Sequence, residues 1–222
     1  MSQVVLFTGP SLHPDKARSL LEATILPPVK RGDLDQLLPA NVASIGIVDG
    51  EFYQSLAISP KEILPLLDRG VRVYGASSMG ALRAVELRTC GMVGVGRVFR
   101  LFRRGILDAD DEVALAYSPS TYEALSEPLV NTRYILRAAV GRGMLSRAQS
   151  AEIIERLKQV YFPERTKCLL LSIVGERCGS QAALRMRQFL NSQAAPNIKE
   201  EDARLLIARI GRDTAYTASG KR

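Results

Sequence analysis

The chain has 222 residues, 46% of them hydrophobic and 24% charged, with a net charge of +7 and a pI near 9.5. That is long enough for one sizeable core with a smaller helical appendage, and no run approaches the roughly 18 uninterrupted apolar residues of a membrane span. Three cysteines (Cys90, Cys168, Cys178), one histidine (His13) and no CxxC pair argue against a disulfide framework and a metal site, and leave any serine–histidine–acid triad dependent on His13.

From the amino terminus, VVLFTGP (4–10) is a compact apolar run ending in a Gly-Pro turn, which predicts a buried strand. DKARSLLEA, with Pro14 near its first turn, predicts a helix. TILPPV is a short strand broken by Pro27 and Pro28, and ASIGIVDG (43–50) is a third strand. SPKEILPLLDRG predicts a helix with Ser59 as N-cap, Pro60 in its first position and Gly70 closing it. VRVYGAS is the fourth strand and MGALRAVELRTCG the helix after it. Strands this apolar, alternating with helices, predict a mainly parallel sheet flanked by helices.

Beyond about residue 90 no further strand is predicted. GRVFRLFRRG and DDEVALAY read as short helices, and from Pro128 helical periodicity dominates. The expected fold class is therefore α/β: a mainly parallel sheet flanked by helices in the amino-terminal half, followed by a mostly helical carboxyl-terminal region. The expected division is an α/β core over 1–118, a helical region packed on it over 119–211, and a flexible tail over 212–222 with little to bury.

The first residues, MSQVVLFTGPSLHP, have neither a basic segment nor a long apolar run, so a cytoplasmic protein is expected. The positive charge suits an anionic partner. Nucleic acid is disfavoured: aromatics are 6%, tryptophan is absent, and basic and aromatic residues do not interleave. No GxxxxGK[ST] occurs and no GxGxxG follows a strand, so no nucleotide cofactor is expected.

The stretch VRVYGASSMGALRAVEL (71–87) places a serine between strand and helix. Ligands gather at the carboxyl ends of parallel strands, and small-x-Ser-x-Gly is the pattern of a nucleophile elbow. Ala76-Ser77-Ser78-Met79-Gly80 fits, with alanine for the first glycine. The amides of Met79 and Gly80 would then face a developing oxyanion. The bland alternative is that Ser78 is the helix N-cap, a role stabilising by about 1 kcal/mol.

A nucleophilic serine needs a base. With one histidine in the chain, a lysine is the better partner, and Lys61 in the first turn of the preceding helix is the candidate, against a solvated lysine. Asp49 in VDGEF is either a site residue or turn chemistry, and Arg83 is placed to pair with Glu86 three residues on. Asp108, Asp110, Asp111 and Glu112 could together hold magnesium but read more readily as caps at a helix start, and Asp110 and Asp111 are expected to cap a helix or pair with nearby arginines.

In this order and spacing, FTGPSL, GIVDGEF, PKEIL, GVRVYGASSMGALRAVEL, GMVGVGRVF and DDEVA resemble the TfuA-like protein family. The resemblance is close over about residues 4–118 and diffuse beyond. It implies a partner of YcaO-type enzymes, which activate peptide backbone amides with ATP and, with the TfuA component, install thioamides in ribosomally made peptides. It further implies hydrolysis of the C-terminal thiocarboxylate of a ubiquitin-like sulfur carrier of the ThiS type, supplying sulfide to the YcaO enzyme. On that reading Ser78 and Lys61 are catalytic, and Asp49, Ser77, Met79, Gly80, Arg83, Gly94 and Gly96 bind substrate. Lys61 or Arg83 would offset the thiocarboxylate charge, glycines 91, 94 and 96 would line a groove for the carrier tail, and Arg97, Arg100, Arg103 and Arg104 would dock an acidic face. Many family members carry a histidine just before the lysine, where this chain has Pro60.

Two other readings stand beside it. The chain could be a non-catalytic adaptor or activator of a YcaO enzyme, its serine turn purely structural. It could also be a serine esterase or peptidase, disfavoured because the expected downstream acid and histidine are not both available.

Overall fold

The computed structural model describes residues 3–38, 41–52 and 56–218. Five parallel strands form one sheet: β1 (Gln3–Phe7), β2 (Thr24–Leu26), β3 (Val42–Ile47), β4 (Arg72–Gly75) and β5 (Val93–Gly94), in the order β2-β1-β3-β4-β5. The helices between them are α1 (Pro14–Leu20), α2 (Pro60–Asp68) and α3 (Met79–Glu86), with α4 (Gly96–Arg103) following β5. The helical segments beyond are α5 (Leu129–Gly141), α6 (Arg147–Lys158), α7 (Lys167–Cys178) and α8 (Ser180–Leu190), and the last is α9 (Ile198–Ala218). This is the α/β class expected from the alternation, with a fifth strand added. β5 escaped the sequence because it is two residues long and borders glycine; its pairing with Tyr74 and Gly75 of β4 defines it.

The central strands β1, β3 and β4 are buried on both faces, as their unbroken apolar composition requires, while the short edge strands β2 and β5 are only partly covered. Val4, Leu6, Val48, Tyr74 and Ala76 point to one side, where they pack with Leu12 and Ala17 of the α1 region and with Ala203, Leu206, Ile207 and Ile210 of α9. The alternate residues Val5, Phe7, Ile45, Ile47 and Val73 turn to the other side and are buried too. Right-handed crossovers place α2 and α3 there, because β3, β4 and β5 advance in the direction opposite to the step from β1 to β2. The local signals for α2 hold: Ser59 Oγ accepts from the Lys61 N–H at 3.3 Å and Glu62 returns the bond to the Ser59 N–H at 2.7 Å, with Pro60 in the first position.

The chain divides into two compact units, Met1–Asp108 with Lys199–Arg222, and Ala109–Ile198. The first boundary thus falls at 108 rather than 118, and the last helix belongs to the sheet. The physical reason is the apolar stripe of α9, which completes one face of the core. The expected tail is corrected in part: residues up to 218 are helical, Asp213 accepts a hydrogen bond from Tyr74 Oη at 2.8 Å, and residues 219–222 lie outside the described residues. DDEVALAY is not a helix but a 3-10 turn over Asp110–Glu112 followed by irregular chain. In the helical unit α5 to α8 share one core, including Leu136, Ala139, Ile153, Val174 and Met186.

Candidate active site

The turn from β4 into α3 is forced by its glycines. A Cβ on Gly80 would lie 1.8 Å from the carbonyl oxygen of Ile47, and one on Gly75 would lie 2.0 Å from that of Gly80. Helix α3 can therefore start directly against the ends of β3 and β4 only with glycine at both positions. Between them Ser77 has φ +68°, and the Ser78 N–H donates to the Ala76 carbonyl at 2.7 Å. That is a γ-turn of the rare positive-φ kind, strained for a residue with a side chain.

Ser78 is the N-cap residue of α3, but its side chain makes no capping bond to that helix. Its Oγ instead lies 3.1 Å from Lys199 Nζ, which donates to it. Ser77 Oγ donates to the carbonyl oxygen of the same lysine at 2.9 Å. Ser77, Ser78 and Lys199 are all buried, the last two at 2% exposure each.

Lys199 sits in the first turn of α9, and three residues on Asp202 fixes that turn a second time. Its carboxylate accepts from the backbone N–H groups of Arg97 at 2.8 Å and Val98 at 2.7 Å, in the first turn of α4. Burial pushes the Asp202 carboxyl above the usual range, against the pull of these two amides and of the Arg100 and Arg97 charges.

The expected residues separate into two groups. Ser77, Ser78, Met79 and Gly80 lie in the turn as expected. The Gly80 N–H is spent on the Val48 carbonyl at 3.3 Å, however, so it is not free to face a substrate oxygen. Asp49, just beyond β3, holds the loop after β1: it accepts from the Gly9 and Ser11 N–H groups at 2.9 Å each and from Ser11 Oγ at 2.5 Å. Lys61 is exposed on α2, and the amine beside Ser78 is that of Lys199 instead. Arg83 is pinned away, donating to the Ile58 carbonyl at 2.9 Å and to Glu86 at 2.5 Å.

Of the three expected groove glycines, Gly91 has open space where a side chain would stand, and the other two have packing partners. The Phe99 ring occupies the space of a Gly94 side chain, and the Asp202 carboxylate that of a Gly96 side chain, where φ is +93°. Arg97 pairs with Glu201 at 3.1 Å, and the Arg103 guanidinium stands 5.8 Å from the Phe99 ring centre. Asp111 pairs with Arg165, as expected of it, and Glu112 binds Arg133 through two hydrogen bonds of 2.9 and 2.6 Å. His13 is the N-cap of α1, its Nδ1 accepting from the Asp15 N–H at 3.2 Å.

Lys199 belongs to none of the local motifs of the sequence. Its signal was its register: Lys199, Ala203, Leu206 and Ile210 follow the i, i+4, i+7, i+11 spacing of a buried helix stripe, so a lysine occupies a core position.

A family model described as TfuA-like protein matches residues 49–166. The match contains the serine turn and ends before Lys199. No curated protein matches the chain, and no described helix is long and apolar enough to cross a membrane.

Proposed function

The chain belongs to the TfuA-like protein family, and from that premise we propose that it hydrolyses the C-terminal thiocarboxylate of a ThiS-like sulfur carrier and hands the sulfide to a YcaO enzyme for peptide thioamidation. The observation that carries the reading is the 3.1 Å contact between Ser78 Oγ and Lys199 Nζ at the carboxyl end of the sheet. A hydroxyl and an amine at that distance can exchange a proton directly, the arrangement of Ser-Lys hydrolases.

The chemistry then runs in two steps. Ser78 Oγ attacks the thiocarboxylate carbon while neutral Lys199 takes the hydroxyl proton. The C–S bond breaks, the sulfide leaves with the proton held by Lys199, and an ester of Ser78 remains. Water attacks this ester with Lys199 again accepting a proton, which releases the carrier carboxylate and restores Ser78. The Met79 N–H, at the start of α3, would face the oxyanion in both steps. The burial of both groups favours a reactant as narrow as an extended carrier tail over a bulky ester, and His13 is occupied in capping α1. Both points weigh against the esterase or peptidase reading.

The test is hydrolysis of a thiocarboxylated carrier by wild type, Ser78→Ala, Lys199→Met and the double variant, read as sulfide released, beside their melting temperatures. The proposal expects either single change to remove turnover and the double to add little, because the two groups act as one unit. Folded variants that retain near-wild-type turnover would leave the adaptor reading in its place.

A further inference from the structure

The lysine at the site is held at both ends by adjacent residues. Along an ordinary extended chain two successive side chains point to opposite faces. Here Ser77 Oγ reaches the carbonyl oxygen of Lys199 and Ser78 Oγ meets its amine. The positive φ of Ser77 and the γ-turn closed by the Ser78 N–H account for this, because they rotate both serines toward α9. A second anchor lies one turn along, where Asp202 binds the first amides of α4. That contact exists only because Gly96 has no side chain: a Cβ there would be 2.2 Å from the carboxylate carbon.

We infer that Ser77 is a positioning residue, which fixes the Lys199 backbone so that the amine stands over Ser78, with Asp202 as a second anchor for the same turn. Its kinetic consequence rests on the hydrolytic reading above; its structural consequence does not. The Lys199 carbonyl has two lone pairs and lies in a helix that supplies its own amide donors, so its bond to Ser77 is not needed to satisfy that oxygen. A Ser77 that merely satisfied its own buried hydroxyl would affect stability and nothing else.

Two variants separate these roles. Ser77→Gly keeps the left-handed turn and removes the hydroxyl, and Ser77→Ala removes the hydroxyl while keeping a side chain. Each is examined by carrier hydrolysis across pH and by 13C NMR of lysine-labelled protein, with the Lys199 Cε signal assigned from Lys199→Met. The expected result for both is a kcat lower by roughly 10- to 100-fold with KM within about a factor of two. The pH profile should be displaced, and the Lys199 signal should move toward those of the solvated lysines. Unchanged kcat, pH profile and Lys199 signal in both variants would overturn the inference. If wild type releases no sulfide, the hydrolytic reading fails by itself, and the Lys199 signal in the two variants still decides whether Ser77 positions the lysine.

Discussion

Buried polar groups in the sheet unit collect just beyond the strand ends, where Thr8, Asp49, Ser77 and Ser78 follow β1, β3 and β4. The buried charges of the helical unit stand in ion pairs instead. Glu112, 2% exposed, is matched by Arg133, and Arg165, at 3%, binds Asp111 and the carbonyls of Leu157 and Val160. The same expense of desolvation has opposite outcomes. In the helical unit each buried charge is answered by an opposite charge or by carbonyls, an arrangement that locks chain segments together. In the sheet unit a hydroxyl and an amine meet, and such a pair can pass a proton between them. The difference teaches where the proposed chemistry belongs: at polar burial that joins a hydroxyl to an amine rather than a charge to its opposite.

The strongest way to break this comparison is kinetic. Lys199→Met should lower carrier hydrolysis by a factor of about a thousand or more, whereas Lys61→Ala, on the exposed surface of α2, should stay within about twofold of wild type. Equal losses from the two lysines, measured as sulfide release, would return the base to α2.

A structural change at the turn should come next. Glycine to alanine inside a helix ordinarily stabilises by about 1 kcal/mol. Gly80→Ala should instead destabilise by more than about 4 kcal/mol, since the new Cβ would overlap the Ile47 carbonyl at 1.8 Å. Urea denaturation of the variant measures this, and a stabilised Gly80→Ala would refute the tight approach of α3 to the sheet.

In the helical unit, Arg165→Met should cost about 1–3 kcal/mol, because the carbonyls of Asp111, Leu157 and Val160 lose their donor together, while the half-exposed Asp111 carboxylate turns to water. The change should leave the kcat of carrier hydrolysis unaltered once the protein is folded. A large fall in kcat at full folding would mean that the buried pairs of the two units do not differ in role.

The smallest effect sharpens the anchoring of α9. Tyr74→Phe removes the hydrogen bond to Asp213 and should cost about 0.5–1.5 kcal/mol near neutral pH. Burial, and then Asp213, push the Tyr74 phenol above its ordinary value. The native state therefore holds this proton more tightly than the unfolded chain does. Its contribution is fully present below the unfolded value of about 10 and is lost as pH rises through the folded value. The gap between wild type and Tyr74→Phe should accordingly narrow between neutral pH and about pH 11 in urea titrations; a gap that widens would contradict the buried phenol.

Much of the sheet was readable locally. Unbroken apolar runs gave four of the strands, and Ser59 with Pro60 marked the start of α2. The serine turn was readable too, through its small residues. Its second role was not. A serine before a helix reads as a cap in any sequence, and only the absence of a capping bond, together with the Lys199 contact, separates Ser78 from that role. Lys61 follows the neighbouring strand in the sequence, but the first turn of α2 presents it to solvent, and the amine beside Ser78 comes from α9.

What the sequence by itself determined is what depends on neighbours within a few residues: strand burial, caps, and the glycines that permit a sharp turn at 75–80. The identity of the amine at Ser78 depends on residues 121 positions apart, and no local preference encodes such a distance. Tertiary packing decided it. The stripe of α9 must cover the face formed by Leu6, Tyr74 and Ala76, and burying that stripe carries Lys199, in register at its beginning, onto the two serines.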